Sequence, residues 1–194
     1  VFPSDVEEKN GKYYQISSGL DVTMGANESM SKSKKNVIDP EEIIKNYGSD
    51  SARWFMLSDS PPERDINWSD AGIHGSWRFC QKIWATITSN IKILNDKNVN
   101  LGQKDGSPDA IRLLQKTYQS LDAVTRSIEG FQMNVGVAKI YELINHISKF
   151  RVTEDSEKNA LSISLKILIR IIEPMVPHLA EECWSLCGNN SSLA

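Results

Sequence analysis

Positions 29–36 read Ser29-Met30-Ser31-Lys32-Ser33-Lys34-Lys35-Asn36, and these are the residue types best suited to chemistry on an anion. Lys32, Lys34 and Lys35 fall within four residues and form a polyanion trap. A lysine ammonium is a point charge on a flexible stem, so it can follow phosphate oxygens as they move. The serines between them are small and leave the backbone able to change shape, and loops that do so commonly gate catalytic steps. Charge placed to meet a transition state is usually the largest single catalytic contribution. For Ser-Lys-Ser taken alone, a plain solvated loop is the competing explanation.

The neighbouring elements must hold this segment in place. Residues 6–25 predict a small hairpin or meander. Asn10-Gly11 is a strong hairpin signal, Tyr13-Tyr14-Gln15-Ile16 is β-prone, and a turn at Ser18-Gly19 leads to Asp21-Val22-Thr23-Met24. Residues 26–38 are polar and small, which predicts a mobile surface loop. Behind it a helix begins: Asp39 is the expected N-cap, Pro40 the first helical residue and Glu42 the partner in a capping box. That helix N-terminus limits the swing of the loop. Ile43, Ile44 and Tyr47 give its expected buried side, and Gly48 its stop. Asp50 is expected to cap the next helix, which carries Trp54, Phe55 and Leu57 and ends at Pro61-Pro62. Residues 58–69 read as a linker anchored by Ile66 and Trp68.

Everything after residue 70 predicts helix. Ile73, Trp77, Cys80, Trp84, Ile87, Ile91 and Leu94 form one sustained apolar stripe. Residues 95–107 read as a polar loop. A second helix opens at Ser107-Pro108 with Ile111, Leu114, Tyr118, Leu121, Val124 and Ile128 inside, and stops at Gly130. A third spans 134–150, and a fourth, over 154–172, is apolar on most sides and should be the most buried. Pro174 precedes a short fifth over 177–187. The fold class is mainly α: a small β-hairpin region, then a helical bundle.

The loop resembles the KMSKS signature of class I aminoacyl-tRNA synthetases, and the likeness continues through Val37-Ile38-Asp39-Pro40-Glu41 to Tyr47-Gly48-Ser49-Asp50-Ser51-Ala52-Arg53. The stretch from Ser60-Pro61-Pro62-Glu63-Arg64-Asp65-Ile66-Asn67-Trp68 to Phe79 is similar to the leucyl enzymes of bacteria and organelles. Valyl and isoleucyl relatives share the loop and the helices after it, but not this stretch. Phe131-Gln132-Met133-Asn134 and Pro174-Met175-Val176-Pro177-His178-Leu179-Ala180 fit the same family's helical domain. The resemblance implies that residues 1–69 end an α/β Rossmann-type catalytic domain and that 70–190 form an anticodon-binding-type bundle. It implies ATP, with Mg2+ accompanying it, leucine and tRNA-Leu as the whole protein's ligands, and no metal site in this segment. Ser29, Met30, Ser31, Lys32 and Ser33 would meet ATP, with Lys32 the catalytic charge on the β- and γ-phosphates. One departure stands out: Ser29 occupies the place of the family's first lysine, whose part Lys34 or Lys35 could take. The family's His-Ile-Gly-His-like element is absent, and Ile73-His74-Gly75 does not replace it. A fragment inactive on its own is the expectation. Two other readings stay open: a valyl- or isoleucyl-type segment, and a non-catalytic RNA-binding module.

Composition is compatible with these readings without selecting among them. The 194 residues are 40% apolar and 24% charged, with net charge −3. Residues 1–70 hold 8 basic and 13 acidic side chains, and residues 71–194 hold 14 and 12, so the second part is mildly basic. That permits RNA contact through shape and phosphate. Arg78, Lys82 and Arg126 are candidates for such contact, or simply solvated charges. No apolar run approaches the roughly 20 residues of a membrane span, and the first residues lack signal-peptide character. Cys80, Cys183 and Cys187 lack zinc spacing and read as reduced core thiols. His74, His146 and His178 read as packed residues without ligand roles. A monomeric cytoplasmic protein is expected.

Overall fold

The computed structural model describes residues 1, 5–23, 25–26, 28–34, 36–61, 63–96, 98 and 106–193. Expectations that rest on Met24, Lys35, Pro62 and most of the 95–107 loop fall outside the described residues. The chain divides into two compact units, Val1–Glu42 and Ile43–Ala194.

In the first unit β1 (Val6–Lys9) and β2 (Lys12–Gln15) pair antiparallel, with Val6 opposite Gln15 and Lys9 opposite Lys12. Asn10 and Gly11 close the hairpin at φ 54° and 75°. These positive values match a two-residue turn whose twist suits the strands, which is why Asn-Gly is favoured there. β3 (Asp21–Val22) adds antiparallel to β2, with Tyr13 opposite Val22.

Helix α1 (Pro40–Tyr47) begins where expected, and the Glu41 N–H donates to Asp39 Oδ1 at 2.9 Å. Glu42 makes no reciprocal bond among the described residues. The expected buried side is not realised: no residue of this eight-residue helix is buried, and Ile44 is 52% exposed. Tyr47 meets the edge of the His74 ring at 6.3 Å.

The second unit is a helical bundle of α2 (Ser49–Asp59), α3 (Asp70–Ser89), α4 (Ile91–Leu94), α5 (Pro108–Glu129), α6 (Met133–Ile147), α7 (Asp155–Ile172) and α8 (Pro177–Leu186). Its core runs through Trp54, Ile83, Leu113, Ile140, Ile144, Leu165, Leu168 and Ile172. Trp54 is fully buried, stacks on Phe79 with centroids 5.0 Å apart, and donates its indole N–H to the Tyr141 hydroxyl at 3.1 Å. One side chain thereby fixes α2 against α3 and α6. Ser69 caps α3 by accepting from the Gly72 N–H, and Ser107 caps α5 by accepting from the Ala110 N–H. α7 is the most buried helix, as its all-round apolar pattern requires.

Three inward faces differ from their sequence reading. The first apolar stripe is interrupted at Asn90, whose side-chain amide bonds the Thr86 carbonyl, so α3 and α4 are separate. Phe79 and Ile83 join its core, while Trp77 and Trp84 are only half-buried. The buried face of α5 is rotated to Ala110, Leu113, Thr117, Ser120, Val124 and Ser127. Ile111 and Tyr118 are left 40% and 52% exposed. Small hydroxyl residues sit inside because α5 packs closely on α6 and α7. Thr117 Oγ1 lies 2.8 Å from both the Leu113 carbonyl and Ser164 Oγ, whereas Ser120 Oγ is buried without a hydrogen-bond partner among the described residues.

The three histidines are exposed rather than packed. Cys80 and Cys183 are buried, and loss of water pushes their thiols up to about 11 and about 12, so both stay protonated.

The approach of α2 to α3 depends on Gly72. A Cβ there would lie 2.6 Å from the Phe55 ring, which is 5% exposed and already edge-on to Trp68 at 5.3 Å. Gly72→Ala gains up to about 1 kcal/mol of helix propensity, but overpacking of this kind costs about 1–3 kcal/mol. A net loss of stability is expected in urea unfolding of the variant, and a gain would show that Phe55 yields.

Candidate active-site loop

The lysine segment forms a closed turn within the first unit. Asn36 Oδ1 accepts from the Ser31 N–H at 2.8 Å, and Asn36 Nδ2 donates to the Ser29 carbonyl at 3.4 Å. One amide side chain thus ties down two points of the backbone five and seven residues earlier. Inside that clamp the Lys34 N–H donates to the Ser31 carbonyl at 3.2 Å, and Ser31 Oγ lies 3.3 Å from the same N–H. Ser31 Oγ and Ser33 Oγ are 3.2 Å apart. Lys32 and Ser33 therefore occupy the two central positions of a four-residue turn.

The lysines are not equivalent. Lys34 Nζ lies 3.0 Å from Glu28 Oε2, with both side chains at least half exposed. Such a pair contributes under about 1 kcal/mol, so Lys34 is detained rather than fixed. Lys32 is exposed and makes no hydrogen bond or ion pair among the described residues. An unshared ammonium at the apex of a turn, beside two hydroxyls, can receive an anionic oxygen without first breaking a bond. Ser29 and Met30 are exposed on the approach to the turn, Met30 at 47%. Met30 to Ser33 are consecutive, so the expected site residues from Ser29 on lie together, while Lys35 is outside the described residues.

Asn36 is the residue sequence reasoning missed. Its signal was faint but physical: asparagine commonly bonds nearby backbone and closes turns, and here it follows directly on the lysine run.

The bundle's candidate RNA contacts have more ordinary partners. Arg126 pairs with Asp122 one helical turn away at 3.0 Å, and Lys82 donates to Asn145 Oδ1 at 2.6 Å. Arg78 is exposed and has no such partner among the described residues. No group of three or more His, Cys, Asp or Glu that could hold a metal ion occurs among the described residues. None of the described helices is long and apolar enough to cross a membrane.

Comparison with known proteins gives two family matches. Residues 13–69 match the class I tRNA synthetases (I, L, M and V), and residues 111–194 match the anticodon-binding domain of tRNA ligase. The leucine–tRNA ligase of Maricaulis maris is 43% identical over 186 residues, covering 96% of this chain and 21% of the relative. That of Parvibaculum lavamentivorans is 43% identical over 191 residues, covering 97% and 22%. The chain thus spans about a fifth of the length of these relatives. Among solved structures, the LeuRS of Agrobacterium radiobacter in a ternary LeuRS–tRNA–LeuAMS complex matches 84% of this chain and 21% of its own, with TM-score 0.77 and 26% identity. A methionyl-tRNA synthetase of Mycobacterium tuberculosis, in complex with methionyl-adenylate, shares the fold over 80% of this chain and 35% of its own, with TM-score 0.65 and 17% identity. With its lysine turn and its helical bundle, the chain resembles, along nearly all of its length, one segment of the leucine–tRNA ligases.

Proposed function

We propose that this chain supplies the ATP-facing lysine turn and the tRNA-holding bundle of a leucine–tRNA ligase. The whole protein would activate leucine with ATP to leucyl-adenylate and transfer it to tRNA-Leu. The observation that carries the proposal is the uncommitted ammonium of Lys32 at the apex of a turn clamped by Asn36. As the leucine carboxylate attacks the α-phosphate, charge accumulates on the departing pyrophosphate. Lys32 is placed to meet that charge, and its flexible stem follows the oxygens as they move. Ser29, Met30, Ser31 and Ser33 line the same side of the nucleotide. Mg2+ would travel with the ATP phosphates.

In this reading residues 1–69 complete the catalytic domain and 70–190 form the tRNA-binding domain. The protein acts as a cytoplasmic monomer. Both family matches and the tRNA in the LeuRS complex support the division of labour. Amino-acid-dependent ATP–pyrophosphate exchange by the full-length protein tests the proposal. Exchange with leucine and not with valine or isoleucine is expected. Exchange driven by valine or isoleucine would move the chain to a sister synthetase, and none with any amino acid would remove the catalytic role.

A further inference from the structure

The outer face of α7 carries a site that the catalytic reading leaves unused. Most of α7 is buried, but Ile163, Lys166, Ile167 and Arg170 recur at spacings of three, one and three on one side and open onto a groove of about 400 Å³. Tyr118 of α5 and Trp184 of α8 complete its walls. Lys166 and Arg170 have no carboxylate partner among the described residues. The Arg170 guanidinium lies over the Trp184 ring, 5.3 Å from its centroid, and donates no hydrogen bond among the described residues. Tyr118 is 52% exposed on a helix whose buried face points elsewhere.

Charge is segregated around α8. A neighbouring groove on the other side of the helix is bordered by Asp50, Glu182 and His178, and another by Glu181 and Glu182. Of these three grooves, the α7 one pairs cations with aromatic rings and has no carboxylate among the residues lining it. Two cations spaced one helical turn apart suit successive backbone phosphates, and a ring standing clear of the core suits a stacked base.

We propose that this groove is an RNA-binding site, in which Lys166 and Arg170 hold phosphates and Tyr118 stacks on an unpaired base. The proposal rests on the functional reading above, because it takes the RNA to be the protein's own tRNA. An acidic protein segment would use the cations and have no need of the tyrosine.

The test uses the full-length protein and tRNA-Leu transcript. Dissociation constants are measured across a salt series for native protein, Lys166→Ala, Arg170→Ala and Tyr118→Ala, with leucine-dependent ATP–pyrophosphate exchange measured alongside. Each cation removed should weaken binding roughly 3- to 10-fold at low salt and flatten the plot of log affinity against log salt by about 0.7–0.9. Tyr118→Ala should weaken binding about fivefold or more with the salt slope unchanged. Because Tyr118 stands in solvent, this variant does not threaten the fold. Exchange, which needs no tRNA, should stay at the native rate in all three. Native affinity and slope in all variants, while native protein binds tRNA normally, would overturn the site and leave the ligase reading standing. Loss confined to the two cations, with polyglutamate competing as well as tRNA, would assign the groove to an acidic protein partner and overturn it too. Absence of tRNA binding by the native protein would sink the functional reading and the site together.

Discussion

Leucine-dependent ATP–pyrophosphate exchange falls by on the order of 10²-fold when Lys32 is replaced by alanine in the full-length protein. The size follows from what the residue does and does not touch. Lys32 bonds nothing among the described residues and is exposed, so its removal breaks no contact that holds the turn. The turn itself is maintained by Asn36 and the Ser31–Lys34 bond. The variant should therefore bind leucine and melt as the native protein does, and the loss should appear in the chemical step. Lys34→Ala is the internal control. Its ammonium is already partnered by Glu28, so a loss below about fivefold is expected, the scale of one exposed ion pair. Equal losses in the two variants would mean that the lysine cluster acts as a diffuse charge rather than through one placed group. An unaffected Lys32→Ala would remove this turn from the catalytic machinery.

The sequence reported secondary structure well where local chemistry decides it. Asn10-Gly11, Asp39-Pro40, Ser107-Pro108 and Pro177 all punctuate the chain where they were expected to, because turns and caps are settled within a few residues. Inward faces were harder. In α5 the apolar pattern pointed to Ile111 and Tyr118, yet Thr117, Ser120 and Ser127 are inside. The Thr117 and Ser127 hydroxyls bond carbonyls of their own helix, so burial costs them little, while Ser120 is buried without such a bond, and the small size of all three permits close packing that a hydrophobicity pattern does not register. The candidate turn was legible from Ser29 to Lys34 only through the longer stretch of resemblance around it, because a lysine- and serine-rich triplet alone reads as a solvated loop. Its clamp was not, because Asn36 acts through two backbone atoms whose distance depends on the path of the chain between them.

Asp50 shows the same limit more sharply, and its replacement is the largest stability change expected here. The sequence placed it as the cap of its own helix. Gly48, at φ 82°, instead turns the chain so that α2 starts at Ser49, and Asp50 lies one residue inside. Its carboxylate reaches 129 residues along the sequence to α8. There Oδ2 accepts the Leu179 N–H at 2.7 Å, in the first turn of a helix whose own N-cap, Val176, has no side chain able to do so. Oδ1 accepts from Arg53 at 3.1 Å and lies 3.0 Å from His178 Nδ1. Losing a side-chain N-cap costs about 1 kcal/mol, and stranding a part-buried donor that had a charged acceptor adds about 1–2 kcal/mol. Asp50→Ala should therefore destabilise the chain by about 2–3 kcal/mol in urea unfolding, with faster amide exchange across residues 177–181. Asp50→Asn, which keeps an acceptor oxygen for Leu179, should lose less than half as much. His178→Ala should cost under about 0.5 kcal/mol, because its side chain is 69% exposed and water replaces its bond to Asp50. That ordering separates a cap from an ion pair. If His178→Ala were as damaging as Asp50→Ala, the histidine–carboxylate contact would be what holds α8 on α2, and the backbone bond to Leu179 would be incidental.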